Sequence, residues 1–247
     1  LIEVVAETGS TNADLAARVA AGETIGTGHW LVADRQVDGR GRQGRVWSDG
    51  AGNFMGSTVV HLHAGDPPPH TLSLVAGVAV YAAIEALAPG LEGLALKWPN
   101  DLLLDGNKLA GILLERFGDA VVVGVGVNLV KAPELADRKT ASLADVLPPS
   151  PQLGKEGFAA RNAFADRLDT CWSHALRLWR SGAWDQLRAD WIARAHAFGT
   201  PLMVHGPDGA AVHGTFAGLD PEGALQLQLP GGTRRTIHAG EVDLDRR

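Results

Sequence analysis

Residues Asp38 to Trp47 read Asp-Gly-Arg-Gly-Arg-Gln-Gly-Arg-Val-Trp, and they leave the chain few options at that point. Three glycines allow positive φ and close approach of the backbone to a ligand. Three arginines present rigid donor forks that match carboxylate or phosphate oxygens. The closing indole can stack on a flat ring. The segment therefore reads as a flexible flap that closes over an anion, with an aromatic base attached. Taken alone it also fits a solvated basic loop, or a strip that binds single-stranded nucleic acid through charge and stacking.

The charge balance separates these readings. The chain holds 28 acidic and 22 basic residues, a formal net charge of -6, whereas a protein that releases counterions from nucleic acid needs a broad basic face. A local arginine cluster on an acidic protein suits a small-ligand clamp. The single cysteine, Cys171, rules out an internal disulfide and fits a reducing compartment. Leu1 to Ala6 contains Glu3 and lacks the basic lead of a signal peptide. The apolar run Leu72 to Ala88 is rich in alanine and glycine and is interrupted by Glu85, so it reads as a buried core helix instead of a membrane span. A soluble cytoplasmic protein is expected, with neither nucleic acid nor membrane as partner.

A length of 247 residues allows one large domain, or one with a small appendage. Strands are predicted at Ile2–Ala6, Trp30–Ala33, Phe54–Leu62, Leu94–Lys97, Leu102–Leu104, Leu109–Phe117 and Ala120–Leu129. The last two are joined at Gly118-Asp119, a hairpin signal, and Asp105-Gly106-Asn107 marks another turn. Helices are predicted at Asn12–Ala21, from Leu72, at Phe158–Arg180 and at Trp184–Ala195. Phe164, Leu168, Trp172, Leu176 and Trp179 would form the apolar face of the third. Pro148, Pro149 and Pro151 mark a connection. From Gly199 the texture changes to short strands, at Leu202–Val204, Gly214–Leu219, Leu225–Leu229 and Arg235–His238, with turns near Pro207-Asp208-Gly209 and Pro221-Glu222-Gly223. Residues 1–198 and 199–247 are thus expected to be separate domains, the second a small β-barrel or sandwich that leans on the first.

Two further segments carry a resemblance. Lys97-Trp98-Pro99-Asn100-Asp101 is followed by Gly106-Asn107-Lys108-Leu109-Ala110-Gly111-Ile112-Leu113-Leu114-Glu115. With the flap, with Ser10-Thr11-Asn12 upstream and with Gly124-Val125-Gly126-Val127-Asn128 downstream, the chain resembles the biotin–protein ligases, all five motifs standing in that family's order. The resemblance implies a mixed α/β (α+β) catalytic domain related to class II aminoacyl-tRNA synthetases, followed by an SH3-like barrel. It implies a short form that ligates without reading operator DNA. It also implies two chemical steps, in which biotin and ATP (with Mg²⁺) form biotinyl-5′-AMP and a lysine of a biotin carboxyl carrier domain then displaces AMP. A homodimer is a possibility the resemblance leaves open.

Roles follow residue by residue from that resemblance. Arg42 and Arg40 would grip the biotin carboxylate and the α-phosphate, Arg45 would act nearer the phosphates, and Trp47 would lie against adenine. Gly39, Gly41 and Gly111 would let the chain approach biotin closely. Lys108 would bridge carboxylate and phosphate oxygens in the first step. Asn100 and Asp101 would orient phosphates or the Mg²⁺ on them, with Lys97 near ATP and Asn128 pointing to the nucleotide; Lys108, Arg42 and Asp101 would be the catalytic set. Biotin's ureido ring, with two N–H donors and a carbonyl, asks for small hydroxyl and amide partners; Ser10, Thr11, Asn12 and Gln36 supply them.

Plain structural readings stand beside these. Ser-Thr-Asn before a helix is a capping signature, Asn100-Asp101 can shape an Asx-turn, and Trp47 can simply anchor the end of the flap. Gly124-Val125-Gly126 lacks the third glycine and the helix of a dinucleotide fingerprint, and His61 with His63 lacks a third metal ligand. The sequence departs from the family's pattern at Val37-Asp38-Gly39, and at Met55-Gly56, where a bulkier stretch is usual. Lipoate–protein ligation and a non-catalytic ligand-binding module are the alternatives, the first sharing the fold and the adenylate chemistry.

Overall fold

The computed structural model describes residues 1–47, 50–135, 138–147, 158–206 and 210–245. The connection marked by Pro148, Pro149 and Pro151 and the turn at Pro207-Asp208-Gly209 lie outside these residues.

Strand β7 (Ala120–Val127) shows how sequence becomes layering. Its side chains alternate between the two faces of the sheet. Val121, Val123, Val125 and Val127 enter the main core. On the other face Ala120 and Val122 join a small second cluster with Leu15, Ile25, Leu31 and Val59. Further along that same face the strand turns to Gly124 and Gly126, and there β7 contributes no side chains. A cleft is written into the strand as a change from valine to glycine.

β7 lies at the centre of a seven-stranded sheet. The others are β1 (Ile2–Val5), β2 (Trp30–Ala33), β3 (Phe54–His61), β4 (Leu94–Lys97), β5 (Asp101–Leu104) and β6 (Asn107–Phe117). The order is β1-β2-β3-β7-β6-β5-β4, with β1 and β2 parallel and the remaining pairs antiparallel. Helix α1 (Thr11–Ala20) packs on the second-cluster face and begins at Ser10, whose side chain accepts from the Ala13 N–H. The main core takes in α2 (Leu72–Leu87), α3 (Phe158–Arg180) and α4 (Trp184–Ala193). Pro69–Leu87 is long and apolar enough to cross a membrane, yet α2 is largely buried against α3, α4 and the sheet.

The face predicted for α3 is the one that packs: Phe164, Leu168, Trp172, Leu176 and Trp179 are all buried. Trp172 meets Trp30 edge-on at 6.2 Å, and Phe164 meets Phe54 at 5.0 Å; contacts of this kind add about 0.5–1.5 kcal/mol each beyond the burial itself. Helix α4 ends two residues before the predicted Ala195. That residue leaves the helix to bridge Leu96, covering the free edge of β4.

The C-terminal sheet has five strands: β8 (Pro201–His205), β9 (Ala211–Leu219), β10 (Leu225–Gln228), β11 (Arg234–Ile237) and β12 (Glu241–Leu244). Their order is β11-β10-β9-β8-β12. Sequence reasoning found the first four and missed β12, which carries only Val242 and Leu244 as apolar signal. Phe216, Leu225, Leu227 and Val242 belong to the same core cluster as α2 and α3, so this small unit gains its burial by leaning on the large one.

Candidate active site

Cross-strand pairing builds the floor of one cleft. Lys97 (β4) stands opposite Asp101 (β5), Asp101 opposite Gly111 (β6), Gly111 opposite Gly126 (β7), and Gly126 opposite Met55 (β3). A second row sets Leu113, Gly124 and Ser57 side by side. These rows, the flap, the start of α1 and strand β12 enclose a cleft of about 780 Å³.

One end of the cleft is neutral. Thr11 donates its backbone N–H to Gln36 Oε1 at 2.8 Å, and its hydroxyl lies 3.0 Å from the same oxygen and 2.7 Å from Ser57 Oγ. Ser57 donates to Asn12 Oδ1 at 2.6 Å, and Asn12 Nδ2 donates to Glu115 at 2.8 Å. A Cβ on Gly124 would stand 2.2 Å from Asn12 Oδ1, so only glycine admits Asn12 there. All of Ser10, Thr11, Asn12, Gln36 and Ser57 are buried.

The other end is charged. Asp101 accepts from Lys108 Nζ at 2.6 Å and lies 3.5 Å from Lys97 Nζ. Burial pushes its carboxyl upward, but the Lys108 and Lys97 ammoniums outweigh burial and hold it below its ordinary value. Lys97 also donates to the Val242 carbonyl at 2.8 Å. Arg42 donates to Asn100 Oδ1 at 2.9 Å, while Asn100 Nδ2 donates to the Ile112 carbonyl at 2.7 Å.

The flap folds over the floor as a short hairpin. Trp47 N–H donates to the Gly39 carbonyl at 2.8 Å and Gly41 N–H to the Arg45 carbonyl at 2.7 Å. At its tip Gln43 and Gly44 take positive φ. The indole of Trp47 rests on the paired glycines: a Cβ on Gly126 would lie 2.3 Å from its ring, and one on Gly111 would lie 3.1 Å away. Lys108 Nζ sits 5.9 Å from the ring centroid, within cation–π range. Arg45 makes a two-point ion pair with Glu241 of β12. That guanidinium, against partial burial and helped by Arg138 and Arg42, keeps the Glu241 carboxyl below its ordinary value.

Of the residues singled out in the sequence, Ser10, Thr11, Asn12, Gln36, Arg40, Gly41, Arg42, Arg45, Trp47, Lys97, Asn100, Asp101, Lys108, Gly111 and Asn128 all line this cleft. Gly39 does not. A Cβ there would stand 2.7 Å from the Trp47 carbonyl, so its place is the base of the flap. Arg40 lines the rim and pairs with Asp38 at 2.9 Å. Arg45 spends both terminal nitrogens on Glu241 instead of facing phosphate sites unpaired, and Trp47 lies on the glycine floor. Asn128 spends its amide N–H groups on the Ala141 and Lys108 carbonyls, at 3.1 and 3.4 Å, which ties down the connection after β7. Sequence reasoning missed Ser57, Arg138, Lys139 and Glu241. Counting by twos along β3 would have placed Ser57 on the face of Met55 and Val59; Glu241 opens a strand of only four residues, and Arg138 and Lys139 lie in a segment with no periodic signal.

Residues 19–128 match the Biotin/lipoate A/B protein ligase family, and residues 203–245 match the Biotin protein ligase C terminal domain. The chain is 38% identical over 245 residues to a biotin–[acetyl-CoA-carboxylase] ligase of Paracoccus denitrificans, covering 97% of this chain and 98% of that protein. It is 40% identical over 247 residues to the enzyme of the same description from Mycobacterium tuberculosis, covering 98% and 88%. In fold it is similar to a biotin protein ligase from Aquifex aeolicus solved in complex with biotin and ATP, with a TM-score of 0.82, 24% identity, and 100% and 99% of the two chains covered.

Proposed function

The chain belongs to the biotin protein ligase family, and from that premise we propose that it attaches biotin to a lysine of a biotin carboxyl carrier domain, through biotinyl-5′-AMP, at the expense of ATP. The observation that carries this reading is the division of one cleft into a neutral hydrogen-bonding end and a cationic end, joined by a floor of glycines. A bicyclic urea fits the first end, since Thr11, Asn12, Gln36 and Ser57 present hydroxyl and amide groups matched to its two donors and one acceptor. The dithiolane ring of lipoate has no such groups to offer, so the polar end favours biotin over the lipoate alternative.

In the first step a biotin carboxylate oxygen forms a bond to the α-phosphorus, and the bond to the bridging oxygen breaks with loss of pyrophosphate. Two anions must meet, and catalysis lies in placing cations where charge concentrates. Lys108 is suited to this: one of its three donors is held by Asp101, which aims the ammonium and leaves donors for carboxylate and phosphate oxygens. Arg42, anchored through one nitrogen to Asn100, has the rest of its fork for the same oxygens. Lys97 stabilises the buried Asp101 and stands toward the nucleotide. In the second step the neutral amine of the carrier lysine attacks the acyl carbon, AMP leaves with the phosphate oxygen, and the amide nitrogen sheds a proton.

ATP enters with magnesium as part of the substrate. Asp101, the carboxylate at the charged end, is already balanced by the Lys108 and Lys97 ammoniums. The ion is therefore assigned to the phosphates. The flap, by closing, excludes water that would hydrolyse the adenylate.

Incubating the chain with ATP, biotin and a purified carrier domain, then mapping the modified residue by mass spectrometry, tests the reading. Biotin on one carrier lysine, lost when that lysine is replaced by arginine, is expected. An unmodified carrier beside a folded, biotin-binding chain would leave only a binding module.

A further inference from the structure

The turn between β9 and β10 is gripped from the large domain by four side chains. Arg188 donates to the Leu219 carbonyl at 2.9 Å, Trp184 to Pro221 at 2.6 Å, His70 to Glu222 at 2.8 Å and Trp98 to Gly223 at 3.1 Å. The turn is stiff in itself, because Asp220 Oδ1 accepts from the Glu222 and Ala224 N–H groups at 3.0 and 2.8 Å. It is also tightly seated: a Cβ on Gly223, which takes φ +84, would stand 2.9 Å from Leu74. Three of the four donors grip from helix α4 or the turn before α2. Trp98 differs, since it stands between Lys97 and Pro99 at the end of β4, three residues from Asp101.

Its neighbour Lys97 is held by the barrel as well, through the Val242 carbonyl of β12. Two consecutive residues of the strand end are thus tied to two separate parts of the C-terminal sheet. Behind them, Ser73 Oγ donates to the Pro99 carbonyl at 2.8 Å. The segment that presents Lys97, Asn100 and Asp101 to the cleft is located by the barrel on one side and α2 on the other.

We propose that Trp98 is a positioning residue through which the β9–β10 turn of the barrel sets the nucleotide-handling end of the cleft. That assignment of the charged end to nucleotide rests on the ligase reading. Trp98 is among the residues that line the cleft, but its one polar group, the indole N–H, is spent on the Gly223 carbonyl of the turn. Its buried indole N–H transmits the position of a stiff turn to the strand that carries Asp101, so it governs how Lys97, Lys108 and Arg42 converge on phosphate, and it leaves the neutral end alone.

The test compares Trp98→Phe with Trp184→Phe. Each deletes one indole N–H bond to the same turn, but only the first lies on the path to the strand end. Melting temperature, the Kd for biotin and the Kd for α,β-methylene ATP are measured in the full chain, the last with and without biotin. Both variants are expected to melt lower than the wild type and to bind biotin within twofold of it. Trp98→Phe alone should weaken the ATP analogue by roughly fivefold to tenfold, as loss of one buried hydrogen bond allows. An analogue Kd unchanged in Trp98→Phe, or weakened equally in Trp184→Phe, would overturn the proposal by reducing Trp98 to ordinary docking of the barrel. A wild type that binds the analogue but shows no biotin-dependent adenylation would sink the ligase reading and leave this coupling standing; a wild type that binds no nucleotide would sink both.

Discussion

The two ends of the cleft are built from opposite materials. The neutral end is a chain of short hydrogen bonds from Gln36 through Thr11 and Ser57 to Asn12, closed by Glu115 and set on the first turn of α1. Its groups come from the large domain alone, and its shape exists before any ligand arrives. The charged end is assembled across domains: the flap supplies Arg42 and Arg45, β4 and β5 supply Lys97 and Asp101, and the barrel supplies Glu241 and the Val242 carbonyl. Its cations are balanced against acids that an incoming anion must replace or share. A preformed neutral site selects by fit; a balanced charged site can rearrange as bonds form and break.

The sharpest way to break this division is Lys108→Ala. Biotin-dependent exchange of pyrophosphate into ATP is expected to fall by at least roughly 100-fold, on the scale of removing one donor from a transition-state site, with little change in melting temperature. Near-normal exchange would return Lys108 to the role of a turn lysine. Arg42→Ala follows, with adenylate release faster by roughly 10- to 100-fold, the scale of a lost charge-assisted hydrogen bond; stopped-flow fluorescence of adenylate dissociation measures it, and an unchanged off-rate would remove the clamp.

At the neutral end, Gly124→Ala drives a methyl group to within 2.2 Å of Asn12 Oδ1 and should break the polar chain. Biotin is expected to bind about tenfold weaker, with the KM for ATP unchanged. A rise in both constants would show that the two ends are not separable. The smallest effect belongs to His196, whose imidazole is pushed below its ordinary value by burial and then by Lys97. Because the folded state binds this proton less readily than the unfolded state, its contribution to stability is complete above the unfolded value and is lost as pH falls toward the folded one. Melting temperature should therefore decline in the wild type as pH falls below the ordinary imidazole value, and decline less in His196→Asn; parallel curves would contradict it.

Much of this was legible in the chain because it depends on local pattern. A β-rich run marked β3, a hairpin signal marked β6 and β7, an apolar stripe marked α3, and the flap and Lys-Trp-Pro-Asn-Asp motifs named most of the cleft. What stayed hidden depends on closure. β12 has two apolar residues and forms because β8 offers it an edge, so Glu241 was invisible as the partner of Arg45. Ser57 looked like an ordinary strand residue until Gly124 left room for Asn12 beside it. Trp98 stood inside a motif, but its partner lies 125 positions further along the chain.

The central claim, that the charged end joins ATP to whatever the neutral end selects, is tested most directly by exchange of labelled pyrophosphate into ATP without any carrier, with biotin and lipoate supplied in parallel. Exchange that depends on biotin and not on lipoate is the predicted result. Exchange with lipoate alone, or none from a folded chain that binds biotin, would contradict it.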